Sequence, residues 1–401
     1  MSLNSLHFIV LFCILLILLS IISLIRKTIG EYELLKQLQI SLLLIFSLFF
    51  IAIWDWRYCV CSVVYTVFVY TLGILTEERH SRTIMLVGIF GSIIMLGYFK
   101  YTNFFINSFS DLFGVKIKAL NIILPIGISF YTFSGISYLI DVYWKKYHAE
   151  RNVLCFALYM LFFGKITAGP IVRADMFLPQ VKGYRGIQCK KVIVGMQIFI
   201  FGLFKKIVLA DHLSIFVDDV FYSPSAYNTI TVILGIISYS LQIYFDFSGY
   251  SDMAIGVAKI VGFDLSPNFN LPYLSTNISD FWKRWHISFS SWLRDYVYIP
   301  LGGSKKGTNR TYINLLLVML VSGIWHGAGY TFIVWGFLHG VVSVCHRIIK
   351  KYVVGFELPK WIRIFITYVI VAFLWVPFRA DDMETTVTVW KGAFSVHSGI
   401  C

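Results

Sequence analysis

Residues 5–25 read SLHFIVLFCILLILLSIISLI, an unbroken apolar run followed at once by Arg26 and Lys27. A helix crosses the ~30 Å hydrocarbon core of a bilayer with about 20 mostly apolar residues, and this run supplies them. No basic residue precedes it and no small-residue cleavage site closes it, so it reads as a permanent span and not a cleaved signal peptide. Similar runs lie near 38–54, 59–75, 84–99, 119–140, 153–167, 192–210, 229–245, 312–325, 331–346 and 361–378. A β-barrel would show short segments of alternating polarity instead. The sequence therefore specifies an all-α polytopic membrane protein.

Composition agrees. The 401 residues are 58% hydrophobic and 14% charged, against about 25% charged in a soluble domain. Disorder is excluded by 18% aromatic residues. The net charge of +13 suits either nucleic acid or cytoplasmic loops, and its distribution decides. Arg26, Lys27 and Lys36 follow the first span, and alternation then places Arg79, Arg82, Lys145, Lys146 and Arg151 on the same side. The excess marks orientation: N-terminus outside, these loops in the cytoplasm, no nucleic-acid partner.

The run at 153–167 is short and ends at the helix-breaking pair Gly169-Pro170. Reading it as re-entrant or interfacial keeps Arg173, Lys182, Arg185, Lys190 and Lys191 cytoplasmic. Irregular backbone at membrane depth is tolerated where it is buried in protein or lines a wet cavity, so a cavity on that side is expected. A second basic cluster, Lys283, Arg284, Arg294, Lys305, Lys306 and Arg310, surrounds Phe281, Trp285, Phe289, Trp292 and Tyr296. Their spacing gives one amphipathic helix at, or dipping from, the cytoplasmic surface. The seven cysteines sit mostly in apolar runs and read as buried small hydrophobes.

Polar groups at membrane depth are functional candidates by default. Asp246 and Asp252, in YFDFSGYSD at 244–252, are six apart and do not share a helix face, and Gly249 between them suggests a break. Capping, or a hydrogen bond to a neighbouring Arg or Trp, accounts for them as well as chemistry does. His286 lies in WKRWH at 282–286 and His326 in SGIWHGAG at 322–329. Gly323, Gly327 and Gly329 permit close approach of another helix or of a substrate. A neutral histidine is cheaper to bury than a carboxylate and can still take a proton from a hydroxyl. Position alone leaves that role and a packed histidine bonded to a carbonyl both open. His339 and His346, seven apart on one face, read as packing or interface residues. No zinc pair, phosphate loop or complete nucleophile elbow is present. His286, His326 and His339 share ligand spacing with no Cys or carboxylate, so no metal is expected.

Seven short motifs occur in order: LPIGISF at 124–130, AGPIVR at 168–173, GLFKK at 202–206, FDFSGYSD at 245–252, FWKRWH at 281–286, YIPLGG at 298–303 and WHG at 325–327. On these the chain resembles the membrane-bound O-acyltransferase family, in particular its bacterial branch that O-acetylates alginate or peptidoglycan. The resemblance covers about 124–379. It implies a multi-helix bundle around a transmembrane tunnel with re-entrant or interfacial helices. It also implies donor entry from the cytoplasm and an acceptor side facing outward. His326 matches the family's invariant catalytic histidine, and His286 matches the second site position, His or Asn across the family. Asp246, Ser248, Asp252, Trp282, Arg284 and Trp325, within the same motifs, are candidates to line the tunnel.

The expected organisation is one integral domain: N-terminal helices at 1–118, a catalytic core at 119–380 and a short polar tail at 381–401. Family members of this branch usually continue with further helices, so the tail is expected to mark either a truncation or last helices that are dispensable. The expected activity is transfer of an acyl, foremost acetyl, group in the bacterial cytoplasmic (inner) membrane. The donor would be a thioester such as acetyl-CoA, with no bound cofactor. The acceptor would be an envelope polysaccharide or peptidoglycan hydroxyl, reached directly or through an extracytoplasmic acyltransferase partner. A transporter or flippase is the rival reading, but the paired inverted repeats common in transporters are not visible. A purely structural scaffold leaves His326 unexplained.

Overall fold

The computed structural model describes residues 3–30, 33–167, 169–352 and 358–395. Ala168 of the Gly169-Pro170 motif and the last residues of the tail, Cys401 included, lie outside them. Among the described residues there are helices and loops but no strands. The helices are α1 (Leu6–Ile29), α2 (Glu33–Ala52), α3 (Trp56–Arg79), α4 (Arg82–Phe113), α5 (Ile128–Tyr143), α6 (Val153–Leu161), α7 (Phe163–Ile166), α8 (Ala174–Lys182) and α9 (Cys189–Phe204). They continue as α10 (Asp211–Tyr222), α11 (Thr229–Ile260), α12 (Ile278–Arg284), α13 (Ile287–Leu293), α14 (Thr308–His326), α15 (Tyr330–Tyr352), α16 (Lys360–Leu374), α17 (Val376–Arg379) and α18 (Met383–Phe394).

Eight helical stretches among the described residues are long and apolar enough to span a membrane. They are α1 to α4, the continuous rod Cys189–Tyr222, α11, α15 and Lys360–Arg379. The polytopic all-α class expected from the sequence is thus what the chain forms. Two expected spans differ. The run at 119–140 becomes helical only at Ile128, after Pro125 and a left-handed Gly127 at φ +73°, and α5 has 16 residues. A Cβ at Gly127 would strike the Ile166 carbonyl oxygen, which is why the turn requires glycine. The run at 312–325 lies in α14, where Thr308, Asn309, Arg310 and Asn314 dilute the apolar stretch, and α14 is not among the eight.

The short segment after Asn152 breaks at Phe162 into α6 and α7, of 9 and 4 residues. At 1.5 Å per residue the pair falls well short of a ~30 Å core, in keeping with a re-entrant or interfacial segment. It carries Lys165, 4% exposed, whose ammonium sits 4.1 Å from the Tyr159 ring centroid without a hydrogen-bond partner among the described residues.

The chain forms two compact units. The first, residues 1–203 with 250–266, has a phenylalanine interior. Phe163 lies within 4.8–6.4 Å of Phe8, Phe12, Phe46, Phe50 and Phe162, centroid to centroid. There α9 and α11 approach through glycines: a Cβ on Gly195 would stand 2.7 Å from the Gly256 carbonyl oxygen. The second unit, residues 204–249 with 267–401, is built on Trp285, Trp335 and Trp375, packed with Val371, Val376, Val389 and Ala393.

Four readings of the sequence are corrected. The stripe Phe281, Trp285, Phe289, Trp292, Tyr296 is buried throughout, but it is not one helix. It divides into α12, α13 and a π-helical turn at Arg294–Tyr298. No break occurs at Gly249, because α11 runs for 32 residues straight through it. One glycine costs a helix about 1 kcal/mol, which the flanking turns outweigh. The tail is not simply polar. Asp382 caps α18 by accepting from the Thr385 N–H at 2.7 Å, and Thr386, Val389 and Ala393 bury one face of it. Of the six described cysteines only Cys155 is buried. A spanning helix is apolar all round, so composition does not separate its inward from its outward face.

Candidate active site

The FWKRWH motif folds around a neighbouring loop. Asn277 caps α12 through the Asp280 N–H at 2.9 Å. Beyond Arg284 the chain turns extended at Trp285 and left-handed at His286, φ +44°. A non-glycine residue in that region costs about 1–2 kcal/mol, so the surroundings must hold it there. Residues 268–270 do so. The Asn270 N–H donates to the Arg284 carbonyl and the Ile287 N–H to the Asn268 carbonyl, both at 2.9 Å. The Asn268 side chain, buried in turn, accepts at Oδ1 from the Ser288 N–H at 3.2 Å, the Ser288 hydroxyl at 2.9 Å and His286 Nδ1 at 3.1 Å.

That arrangement sets the imidazole's tautomer. The Ser288 backbone N–H can only donate, which fixes the Asn268 atom as oxygen; an amide oxygen only accepts, so His286 Nδ1 carries the proton. Nε2 is then the basic nitrogen, buried and without a partner among the described residues. Burial pushes His286 down to about 3, so the ring is neutral at pH 7.

His326 ends α14 and is half-buried. Four rings wall it: Trp325 at 4.7 Å, Trp335 and Phe378 at 5.1 Å, and Phe289 at 5.6 Å, each at 73–86° to its plane. His286 lies 5.0 Å from Phe289, 6.1 Å from Trp325 and 4.6 Å from Phe247. The two histidines therefore share Phe289 and Trp325 as walls. Glycines make this possible. A Cβ on Gly323 would meet the Phe332 carbonyl oxygen and one on Gly336 the Met319 carbonyl oxygen, so α14 and α15 pack backbone to backbone. Gly323, left open between helix and substrate by the sequence, serves the helix.

The other candidate residues divide. Trp325 stacks on Phe289 at 4.3 Å, and Trp282 packs on Trp335 at 5.9 Å and His339 at 5.0 Å. Both thus join the cluster with the histidines. Ser248 is 1% exposed, and its hydroxyl has no partner. Asp246 instead receives Lys206 at 2.5 Å, and the same ammonium reaches Asp211 at 2.7 Å; its partner is a lysine of the GLFKK motif, not an Arg or Trp. Arg284 pairs with Asp280 at 3.0 Å, and Asp252 belongs to the first unit. Asn268, Trp335, His339 and Phe378 were not among the candidates; none lies in a motif that announces chemistry.

A histidine at a helix C-terminus, walled by rings and beside a second, neutral histidine, is suited to moving a proton in a site poor in water. Together with the eight apolar stretches, this marks a candidate site around two histidines in a membrane protein. The profile of the membrane-bound O-acyltransferase family matches residues 149–378. The chain belongs to that family and is an O-acyltransferase. It is 37% identical over 389 residues to a peptidoglycan O-acetyltransferase of Helicobacter pylori, covering 88% of this chain and 73% of the relative. It is 40% identical over 365 residues to a probable alginate O-acetylase of Pseudomonas aeruginosa, covering 88% and 69%. A teichoic acid D-alanyltransferase of Bacillus subtilis is 29% identical over 241 residues, covering 58% and 61%.

Proposed function

We propose that this protein transfers an acetyl group from a thioester donor, acetyl-CoA, on the cytoplasmic face of a bacterial inner membrane to hydroxyls of an envelope polysaccharide or peptidoglycan. Transfer proceeds directly or through an extracytoplasmic acyltransferase partner. The observation that carries the reading is the pairing of His326 and His286 across Phe289 and Trp325. The names of the two relatives that cover most of the chain support acetyl as the group and an envelope polymer as its destination.

In this reading His326 takes the proton of the acceptor hydroxyl as its oxygen attacks the thioester carbonyl carbon. The carbonyl π pair moves onto oxygen, then returns as the C–S bond breaks, and the proton leaves with the thiolate. The carbonyl end of α14 favours the positive charge His326 gains, as do ring faces presented to an imidazolium. His286, neutral and with its acceptor at Nε2, orients the acceptor hydroxyl or a donor N–H. The aromatic walls exclude water and limit wasteful hydrolysis of the thioester. Basic residues such as Arg185 and Lys190 attract the donor's phosphates. Asp246, Ser248, Trp282 and Trp325 remain proposed as the lining of the path, with Trp282 and Trp325 nearest the chemistry.

The test is His326→Ala in the full chain, with insertion verified, and mass analysis of ester-linked acyl groups on the envelope. Loss of acetyl esters is expected. Undiminished acetylation would overturn the assignment, and D-alanyl in place of acetyl would correct the group transferred.

A further inference from the structure

Trp335, which packs on His326, and its neighbours Trp282 and His339 bury polar atoms that have no partner among the described residues. His339 is fully enclosed, and neither ring nitrogen has a hydrogen bond. Trp335 is equally enclosed with its indole N–H unpaired, and the indole N–H of Trp282 is buried and unpaired too. They form one contiguous group: His339 lies 4.9 Å from Trp335 and 5.0 Å from Trp282, and the two indoles are 5.9 Å apart. Trp335 in turn stands 5.1 Å from His326. Trp335 and His339 are one turn apart on α15, while Trp282 comes from α12, so two separate elements bring these three rings together.

Packing alone does not account for this. A hydrocarbon side chain at each position would fill the interior without stranding a polar atom, and buried polar groups are ordinarily bonded. Trp375, 5.7 Å from Trp335, shares the exception, but several other aromatics of the same unit follow that rule. Trp390 donates to the Phe373 carbonyl at 3.2 Å, Tyr273 to the Ser240 carbonyl at 2.5 Å, and the Tyr368 hydroxyl meets that of Ser240 at 2.8 Å. The exceptions gather next to the candidate catalytic histidine.

We infer that Trp282, Trp335 and His339 bind the carbonyl oxygen of the acyl group undergoing transfer, an inference that rests on the acyl-transfer reading above. An indole N–H only donates, so its complement is an oxygen acceptor. As the acceptor hydroxyl attacks, the carbonyl π pair becomes a lone pair on that oxygen, and donors already in place bind it more tightly than in the ground state. When the C–S bond breaks the pair re-forms the carbonyl. The three side chains exchange no proton in either direction; His339 donates through one nitrogen and stays neutral.

The experiment uses the full chain in membrane vesicles with acetyl-CoA as donor and peptidoglycan or alginate as acceptor, reading released thiol and ester-linked acetate. Trp335→Phe and Trp282→Phe keep an aromatic ring and remove the N–H together with the second ring of the indole; His339→Leu removes the donor and His339→Gln retains one. Removal of a preorganised donor to a developing oxyanion costs about 10²–10³-fold in kcat. The expected result is a kcat lowered about 100-fold by Trp335→Phe and His339→Leu with donor KM changed less than about threefold, and substantial recovery in His339→Gln. Variants are compared only where thermal unfolding matches the parent, and Trp282→Phe, at a half-buried position, carries the test if Trp335→Phe does not fold. Turnover within about twofold of the parent, or a loss lying in KM alone, would overturn the inference. His326→Ala is run alongside. If it stays active, the acyl-transfer reading fails; if it is inactive while Trp335→Phe and His339→Leu are unaffected, only the oxygen-binding site fails.

Discussion

Around Phe163 in the first unit, five phenylalanine rings lie 4.8–6.4 Å away and every one is hydrocarbon. Around His326 in the second, the rings of Trp325, Trp335, Phe378 and Phe289 stand 4.7–5.6 Å away, at similar density. Yet Trp335, with Trp282, His286 and His339 just beyond, buries polar atoms that have no partner among the described residues. Aromatic packing of one geometry thus serves two ends. The phenylalanine cluster gains from burial and dispersion with no desolvation cost, whereas the histidine–tryptophan cluster carries the cost of burying polar atoms without partners among the described residues. Where a membrane protein strands polar atoms is a better guide to its chemistry than where it packs rings.

The contrast can be broken by substitution on either side. The largest effect is expected from His326→Ala, which should lower ester formation by about 10²–10⁴-fold, the range for a general base, with thermal unfolding in detergent little changed. Phe163→Ala should do the reverse, destabilising by about 3–5 kcal/mol while turnover per folded molecule stays within about twofold. A matching loss of turnover in that variant would show the first cluster to be more than scaffold. Asn268→Ala strands the Ser288 and His286 donors that converge on it, at about 1–3 kcal/mol, and turnover should fall with stability. Asn268→Asp, which keeps the acceptor, should recover most of both. The smallest effect belongs to Arg284→Gln. Its pair with Asp280 is about one-third exposed, and such pairs are worth about 0–1 kcal/mol. A change in turnover above about threefold would return Arg284 to the site.

Much of this was legible in the residues, for reasons that can be named. The spans show because each concentrates about 20 apolar residues in one run, and the broken segment at 153–167 shows because Gly169-Pro170 closes it. The stripe from Phe281 to Tyr296 was visible as a period, and all five members are buried. Its interruption was not visible. Trp285 and His286 carry no breaker signal, and the left-handed turn is imposed by Asn268, eighteen positions earlier. Gly249 misled in the opposite sense, since a weak local preference yields to a long helix held at both ends. The short helix after Asp382 was hidden because its buried face is a Thr, a Val and an Ala, too small to register as a hydrophobic stripe.

The sequence by itself determined that the chain lives in a bilayer, because apolar content and the placement of Lys and Arg answer to the solvent and not to the fold. Its motifs also singled out His286 and His326 from nine histidines. Only the tertiary structure decided what surrounds those two. Asn268 dictates the tautomer of His286, glycine-mediated contact of α14 with α15 brings Trp335 against His326, and His339 turns from a packing residue into a polar group without a partner. Such facts depend on which side chains meet across distant segments, and hydrogen bonds of 3 Å are settled by that meeting and not by spacing along the chain.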